Sequence, residues 1–437
     1  MNHDRRLSDL CVVIRTGTCW IKTIGLYLRR IKCPTDFSLS STSKGTISDD
    51  NDKLKLIGHN SIMPFNETVF ITGFPGFIAT RLVRRLAAEG ARFILLTQPA
   101  FLATARAEAA EIATDTGVDA GKLHIVEGDI TAPNLGLSAA ELERARREAT
   151  TVFHLAAIYD LAVAADIATR VNVEGTRNVN NFAKSIELPK RYHYVSTCYV
   201  AGKRKGLIME AELPHDAGFR NHYEETKYLA ETDVEALKSE LPITIHRPAV
   251  VCGDSHTGET AKYDGIYYLI HYLRRWPGGL TLLNIGNREV CLNLVPIDFV
   301  IEAMVALAKD DRAIGATVQL ADPAPLTTHQ LFDGISKAIG GRDSFATVPA
   351  GIVYPTLMLP LAPSITGLPH SAVPYFFLEQ IYDTARAREL LDPRGIHCPK
   401  FPDYVGALVN FVAEHPTLGL LQSDRIHTLD HDKTRRR

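Results

Sequence analysis

The amino-acid sequence predicts an α/β fold, a doubly wound parallel sheet with a smaller C-terminal subdomain interleaved with it. Three observations carry the prediction. From Thr68 onward, short β-rich runs alternate with Ala-, Leu-, Arg- and Glu-rich segments of helical length, the pattern of a parallel sheet covered on both faces. The first run, TVFIT, leaves through a glycine bend into a helix. After about Pro248 the alternation loosens into aromatic- and proline-rich sequence.

The elements follow in order. Residues 1–62 mix scattered arginines with a Ser/Thr/Asp-rich stretch and have little periodicity. They read as a disordered extension or as sequence upstream of a start at Met63, with a targeting peptide as a third reading. Residues 63–248 form the first domain, with strands expected at 68–72, 92–97, 122–126, 151–154, 191–196 and 243–247. Residues 249–420 form the second, and 421–437 a solvated tail. The apolar stretch AGIVYPTLMLPLAPSITGLP at 350–369 is broken by Pro355, Pro360, Pro363 and Pro369. A buried loop or a lipophilic lid is expected there in place of a membrane span.

A net charge of −2 argues against an extended nucleic-acid surface. The seven cysteines contain no CxxC pair. They read as reduced thiols in a cytoplasmic setting, and no metal site is expected. Peripheral membrane contact and a homodimer stay open.

The bend TGFPGFIA places Gly73, Gly76 and Ala79 between strand and helix. Helix-start N–H groups lack partners and the dipole there is positive, so the bend can seat a phosphate. This is a G-x-x-G-x-x-A form of the dinucleotide fingerprint. The second strand ends at Thr97 and Gln98, without the carboxylate that would read a free ribose 2′-OH. That favours NADP(H), with NAD(H) left open and Arg81 and Arg106 as candidate partners for a 2′-phosphate. Asp129, in GDI after the third strand, reads either as an acceptor for an adenine amino group or as a turn aspartate.

Carbonyl reduction on this scaffold needs a proton donor. A tyrosine serves if a nearby ammonium lowers its pKa. The spacing Y-x-x-x-K sets both on one helix face, and it occurs twice, at Tyr199–Lys203 and Tyr223–Lys227. The first falls in a β-branched, glycine-containing segment expected to be a loop. The second lies in NHYEETKYLAETDVEAL, which reads as a helix and is the better pair. Strand alternation sends Ser196 and Thr197 to opposite sides, and Thr197 is chosen as the hydroxyl that holds the substrate oxygen. Cys198 lacks a marked base, and His154 reads as a satisfied core histidine. Tyr263, Tyr267, Tyr268, Tyr272 and Trp276 form either an apolar entrance or core packing.

Together TGFPGFIA, GDI, FHLAA, VNVEGT, VSTCYVAG, YEETK, HRPAVVCGDSHTG and LVPIDFV resemble the extended short-chain dehydrogenase/reductase family in order and spacing. GDITAPNLGLS is most similar to its thioester-reductase and fatty-acyl-CoA-reductase branch. The resemblance implies a dinucleotide-binding Rossmann domain and an oxidoreductase that reduces an acyl thioester or related apolar carbonyl. It implies Thr197, Tyr223 and Lys227 as the catalytic group. It also implies cofactor contacts at Gly73, Phe74, Gly76, Phe77, Ile78, Ala79, Asp129, Ile130, Ala156, Lys227 and Pro248. Asn172 would face the site from its helix, and the Arg247–Pro248 turn would approach the nicotinamide. Two rival readings are a hydroxysteroid, dihydroflavonol-like or nucleotide-sugar dehydrogenase or epimerase, and a non-catalytic NADP(H)-binding regulator.

Overall fold

A computed structural model describes residues 65–275 and 283–418. The readings of 1–62, of the tail and of Trp276 lie outside the described residues. So do Cys11, Cys19 and Cys33. The other four cysteines are free thiols.

Seven parallel strands form the central sheet. They are β1 (Thr68–Thr72), β2 (Arg92–Thr97), β3 (Leu123–Glu127), β4 (Thr151–His154), β5 (Arg191–Val195), β6 (Ile243–Pro248) and β7 (Thr317–Leu320). Their order is β7-β6-β5-β4-β1-β2-β3. The order reverses direction at β1, where the next neighbours are β2 on one side and β4 on the other. Open α/β sheets bind ligands at such a switch point, beyond the strands' carboxyl ends. Six strands coincide with the sequence reading to within one residue at either end. The seventh was not anticipated. Its run is only four residues, TVQL, and lies in the part whose alternation had loosened.

The strands are apolar on both faces because helices cover both. On one side α1 (Phe77–Ala87), α2 (Leu102–Thr116) and α7 (Ile297–Ala308) bury Leu82, Leu86, Ile112, Val300 and Met304 against Ile71, Leu95 and Val318. On the other, α3 (Ala139–Glu148), α4 (Gly175–Lys184) and α5 (His222–Glu235) bury Leu142, Val179, Phe182 and Val234 against Phe70, Ile94 and Ile245. Ser138 accepts from the Glu141 N–H and caps α3.

Beyond β6 the chain adds α6 (Ile266–Arg275), α8 (Thr328–Gly340), α9 (Ala350–Leu357), α10 (Ala362–Thr366), α11 (Ala385–Leu391) and α12 (Phe401–Glu414). The proline-broken stretch is therefore two short helices, which corrects the buried-loop reading. Pro355 sits inside α9, and Pro363 near the start of α10, where no helical N–H bond is lost. Val353, Leu357 and Leu368 face inward, while Ile352, Leu359, Leu361 and Ile365 are exposed. From Ser344 to Leu378 there is no Lys, Arg, Asp or Glu. Among the described residues no helix is long and apolar enough to cross a membrane.

Candidate active site

The bend after β1 is built to bring main chain close to something. Gly73 has φ +91°, and a Cβ there would lie 2.9 Å from the Ala156 nitrogen. A Cβ on Gly76 would lie 2.6 Å from the Gly73 carbonyl, to which the Gly76 N–H donates at 2.7 Å. Side chains are excluded from this cradle on steric grounds. No side chain caps α1, and its first turn carries no acidic residue. Its leading N–H groups and positive dipole end thus stay available to an anion. The residues present fit a dinucleotide's pyrophosphate.

A buried relay holds the cradle's far wall. Thr72 Oγ1 accepts from the N–H groups of Leu155 (3.2 Å) and Ala156 (3.1 Å) and donates to His154 Nδ1 at 2.7 Å. His154 then carries its proton on Nε2, which donates to Thr176 Oγ1 at 3.0 Å. Thr176 donates to the Asn172 carbonyl at 2.6 Å. Burial, aided by the nearby Lys227 cation, lowers the His154 pKa to about 3, so the ring is neutral. His154 is a core histidine, as the sequence suggests. Thr72 and Thr176 carry no motif of their own, and their role becomes visible only once β1, β4 and α4 are side by side.

Asn172 lies in a π-helical segment, Thr169–Glu174, a form often found at functional sites. It is buried. Its side chain accepts from Ile158 N (2.9 Å) and donates to Ile158 O (3.3 Å) and Thr226 Oγ1 (3.1 Å). It thereby ties the loop after β4 to α5.

Helix α5 carries Tyr223 and Lys227, the pair expected from the sequence. Asn221 accepts from the Glu224 N–H and starts the helix just before Tyr223. The buried Tyr223 phenol lies against the Thr197 hydroxyl, which opposes the upward push of burial on its pKa. Lys227 Nζ donates to the Tyr194 hydroxyl and to the Val195 carbonyl, each at 2.8 Å. Burial lowers its pKa to about 7, with the Glu231 charge opposing. Lys227 is thus not what sets the Tyr223 pKa in the cofactor-free chain. The expected lowering towards neutrality is absent, because burial pushes the phenol's pKa up and Lys227 donates to Tyr194 and Val195 instead.

Residues 71–304, just over half of the chain, match the NAD-binding family described as "Male sterility protein". The chain belongs to that family. It is of the extended short-chain dehydrogenase/reductase type, with an NAD(P)-binding domain. Fatty acyl-CoA reductase 1 of Arabidopsis thaliana is 25% identical over 349 residues, covering 63% of this chain and 71% of the relative. A non-canonical nonribosomal peptide synthetase of Aspergillus campestris is 26% identical over 270 residues, covering 58% of this chain. The chain spans only 25% of that synthetase's length. Among solved structures, the terminal R domain from the myxalamid PKS-NRPS biosynthetic pathway superposes with a TM-score of 0.69 at 24% identity. It covers 81% of this chain and 92% of its own. At that identity the likeness speaks to the fold.

Within this reductase fold the remaining anticipated residues fall into two groups. Phe77 and Ile78 begin α1 at the cradle, and the buried Phe74 lies within the bend. Asp129 Oδ1 accepts from the Thr131 N–H at 2.8 Å, and its Oδ2 from Gln98 Nε2 at 3.0 Å. Both groups sit past the ends of β3 and β2, where an adenosine would lie. Thr97, by contrast, is buried, with its hydroxyl turned to the Phe74 and Leu95 carbonyls. Ile130 also turns inward, against Gly175 of α4.

Two expectations need correction. The Arg247–Pro248 dipeptide is not a turn but the end of β6. Arg247 is buried in an ion pair with Glu231 (Nε to Oε1 2.8 Å) and donates to the Glu210 and Glu212 carbonyls. Arg81 is not free for a phosphate, because it pairs with Glu259 (3.0 Å) and Asp254 (3.9 Å). Arg106 is exposed early in α2. Cys198 is buried, its thiol pKa is pushed up, and it donates to the Arg247 carbonyl.

The aromatic helix α6 divides between the two roles left open. Tyr267 is core, its hydroxyl accepting from the Gly253 N–H at 2.8 Å. Tyr263 donates to the His415 carbonyl at 2.6 Å. Tyr268 and Tyr272 line a narrow apolar slot with Ile285, Phe332, Leu357 and Phe376, with a cavity volume of about 40 Å³. The 3₁₀ helix Val373–Phe377 separates slot from site: Tyr375 packs against Tyr199 and the Tyr223 cluster, while Phe376 and Phe377 face the slot.

Proposed function

We propose that this enzyme reduces an acyl thioester, or a related carbonyl with an apolar tail, and that Tyr223 donates the proton. The juxtaposition of the Thr197 and Tyr223 hydroxyls beyond the end of β5 carries the reading. Two hydroxyls from different elements converge where one carbonyl oxygen can accept from both. A bound reduced nicotinamide supplies the hydride. Thr197 holds the carbonyl oxygen, and Tyr223 gives it a proton as negative charge develops there. Lys227 sits one turn along α5 and holds the β5 end through Val195. With a thioester, the protonated product is a hemithioacetal. It expels the thiol and leaves an aldehyde, and a second round would give the alcohol.

The slot behind Tyr375 supports the apolar tail. Its two threonines spend their hydroxyls on backbone: Thr328 donates to Asn287 O and Thr366 to Ala362 O. A nucleotide-sugar would meet few polar partners there. We infer a preference for NADP(H). Gln98 stands where a carboxylate would repel a 2′-phosphate, and Arg106 is an exposed cation on the same side.

The test is oxidation of NADPH and NADH with saturated acyl thioesters of increasing chain length, together with aldehydes and sterols. Tyr223→Phe is expected to keep cofactor affinity and lose turnover by at least about 10²-fold. Undiminished turnover in that variant, or activity confined to alcohols and sugar nucleotides, overturns the proposal.

A further inference from the structure

Three consecutive residues leaving β5 are gripped by three side chains of α5. Val195 O accepts from Lys227 Nζ at 2.8 Å. Ser196 Oγ donates to the Glu231 carboxylate. Thr197 Oγ1 lies against Tyr223. Tyr223, Lys227 and Glu231 are spaced i, i+4, i+8 and so share one helix face. The other Glu231 oxygen accepts from Arg247 on β6. Ser196, Glu231 and Arg247 are all buried, so the carboxylate is screened from water.

We propose that Glu231 is a positioning residue of this active site: it fixes the end of β5 through Ser196 and holds its carboxylate one helical turn from the Lys227 amine. This deepens the reading above and rests on it for its catalytic meaning. No hydroxyl, amide or amine could do both. The strand end needs an acceptor, and the buried ammonium needs a negative charge within a helical turn, which in a dry interior acts far more strongly than in water. The ionisable groups packed around Lys227 are Tyr194 on β5, His154 on β4, and Tyr223 and Glu231 on its own helix. His154 is neutral and both tyrosines are protonated at neutral pH, since burial raises their pKa values. Glu231 thus supplies the one carboxylate in that set. Arg247 draws on the same carboxylate from the opposite side, so the charge is shared between two cations.

The test reads the ionisation of the Lys227 ε-amine directly, by NMR of the lysine-labelled, cofactor-free protein. Signals are assigned by Lys227→Arg. Glu231→Gln keeps the shape and an acceptor oxygen but removes the charge. It is expected to move the Lys227 midpoint down by about one pH unit or more, a tenfold loss of proton affinity. Ser196→Ala, which cuts the strand grip but leaves the charge, should leave the midpoint in place. The alkaline limb of kcat/KM should follow the Glu231→Gln shift. It should disappear in the Glu231→Gln/Lys227→Arg double variant, whose cation does not titrate. A midpoint unchanged by Glu231→Gln, or moved equally by Ser196→Ala, overturns the proposal. Should Glu231→Gln not fold, Glu231→Asp takes its place. Its withdrawn charge should give a smaller fall in the same direction, and no fall is the refuting result. Failure of the thioester reading, by contrast, would appear as full turnover in Tyr223→Phe and would leave the NMR result unaffected.

Discussion

Ser196 and Thr197, neighbours at the end of β5, send their hydroxyls in opposite directions: Ser196 to the buried Glu231 carboxylate and Thr197 to the Tyr223 phenol. The alternation of extended backbone separates a structural hydroxyl from one available to substrate. Thr197→Ala is therefore expected to lower kcat by about 10²-fold, the scale of losing one preorganised oxyanion donor, with little effect on urea unfolding. Ser196→Ala should act on stability, costing about 1–3 kcal/mol for a buried acceptor left short of a partner. Steady-state kinetics and unfolding curves on both variants check the assignment.

The glycine cradle constrains the backbone itself as well as any phosphate seated on it. At Gly73 a methyl group meets the Ala156 nitrogen at 2.9 Å, and the residue's φ is +91°. Gly73→Ala should weaken NADPH and NADH alike by at least about tenfold, since the phosphate seat serves both. Fluorescence titration reads this without any substrate. Equal affinity in the variant would show that the bend does not approach the cofactor.

Acid should weaken the fold through its buried histidines. His154 and His246 have pKa values lowered to about 3 by burial, and His193 is pushed down likewise. An unfolded histidine takes up its proton near 6.5. Between pH 6.5 and about 3 the unfolded chain binds more protons than the native one, so stability falls as pH falls through that window. Each such histidine steepens the slope by at most about 1.4 kcal/mol per pH unit. His154→Gln should be the less stable protein at pH 7, and its deficit should shrink as pH drops towards 4. Urea midpoints at four pH values decide this, and parallel curves would refute it.

Of the two arginines considered for a 2′-phosphate, one is left open to it. Arg81 is engaged by Glu259 and Asp254, whereas Arg106 is exposed. Arg106→Ala is expected to raise the Kd for NADPH about 5–10-fold and leave that for NADH unchanged, a loss that high salt should mimic. Equal losses for both cofactors would count against a 2′-phosphate contact.

Much of the sheet was legible because its strands are buried on both faces and read as apolar runs. The glycine bend was legible for a different reason: only a small set of residues tolerates its geometry. The Tyr223–Lys227 pair could be separated from Tyr199–Lys203 because one lies on a helix and the other passes through Gly202, at φ +56°. What stayed hidden needed partners distant in sequence. Arg247 looks like a loop residue until Glu231 is set beside it. Thr97 stands at the expected ribose-reading position, but its hydroxyl turns to the Phe74 carbonyl. The state of Lys227 was misjudged because spacing conveys proximity and not burial. Strand β7 escaped because four residues are too few for a period to emerge.

That last strand binds the two stretches of chain more tightly than a simple linker would. Glu210, buried between them, accepts from the N–H groups of Gln319, Arg386 and Ala387. Burial lifts its pKa to about 7 even so. A fragment ending at Pro248 would strip this carboxylate of all three donors and bare the ladder groups of β6, a strand buried along its whole length. Such a fragment invites edge-to-edge aggregation. The nucleotide-binding half is thus not a module that can be cut away and exchanged, and any attempt to graft it onto another protein has to carry Thr317–Leu320 and Ala385–Leu391 along.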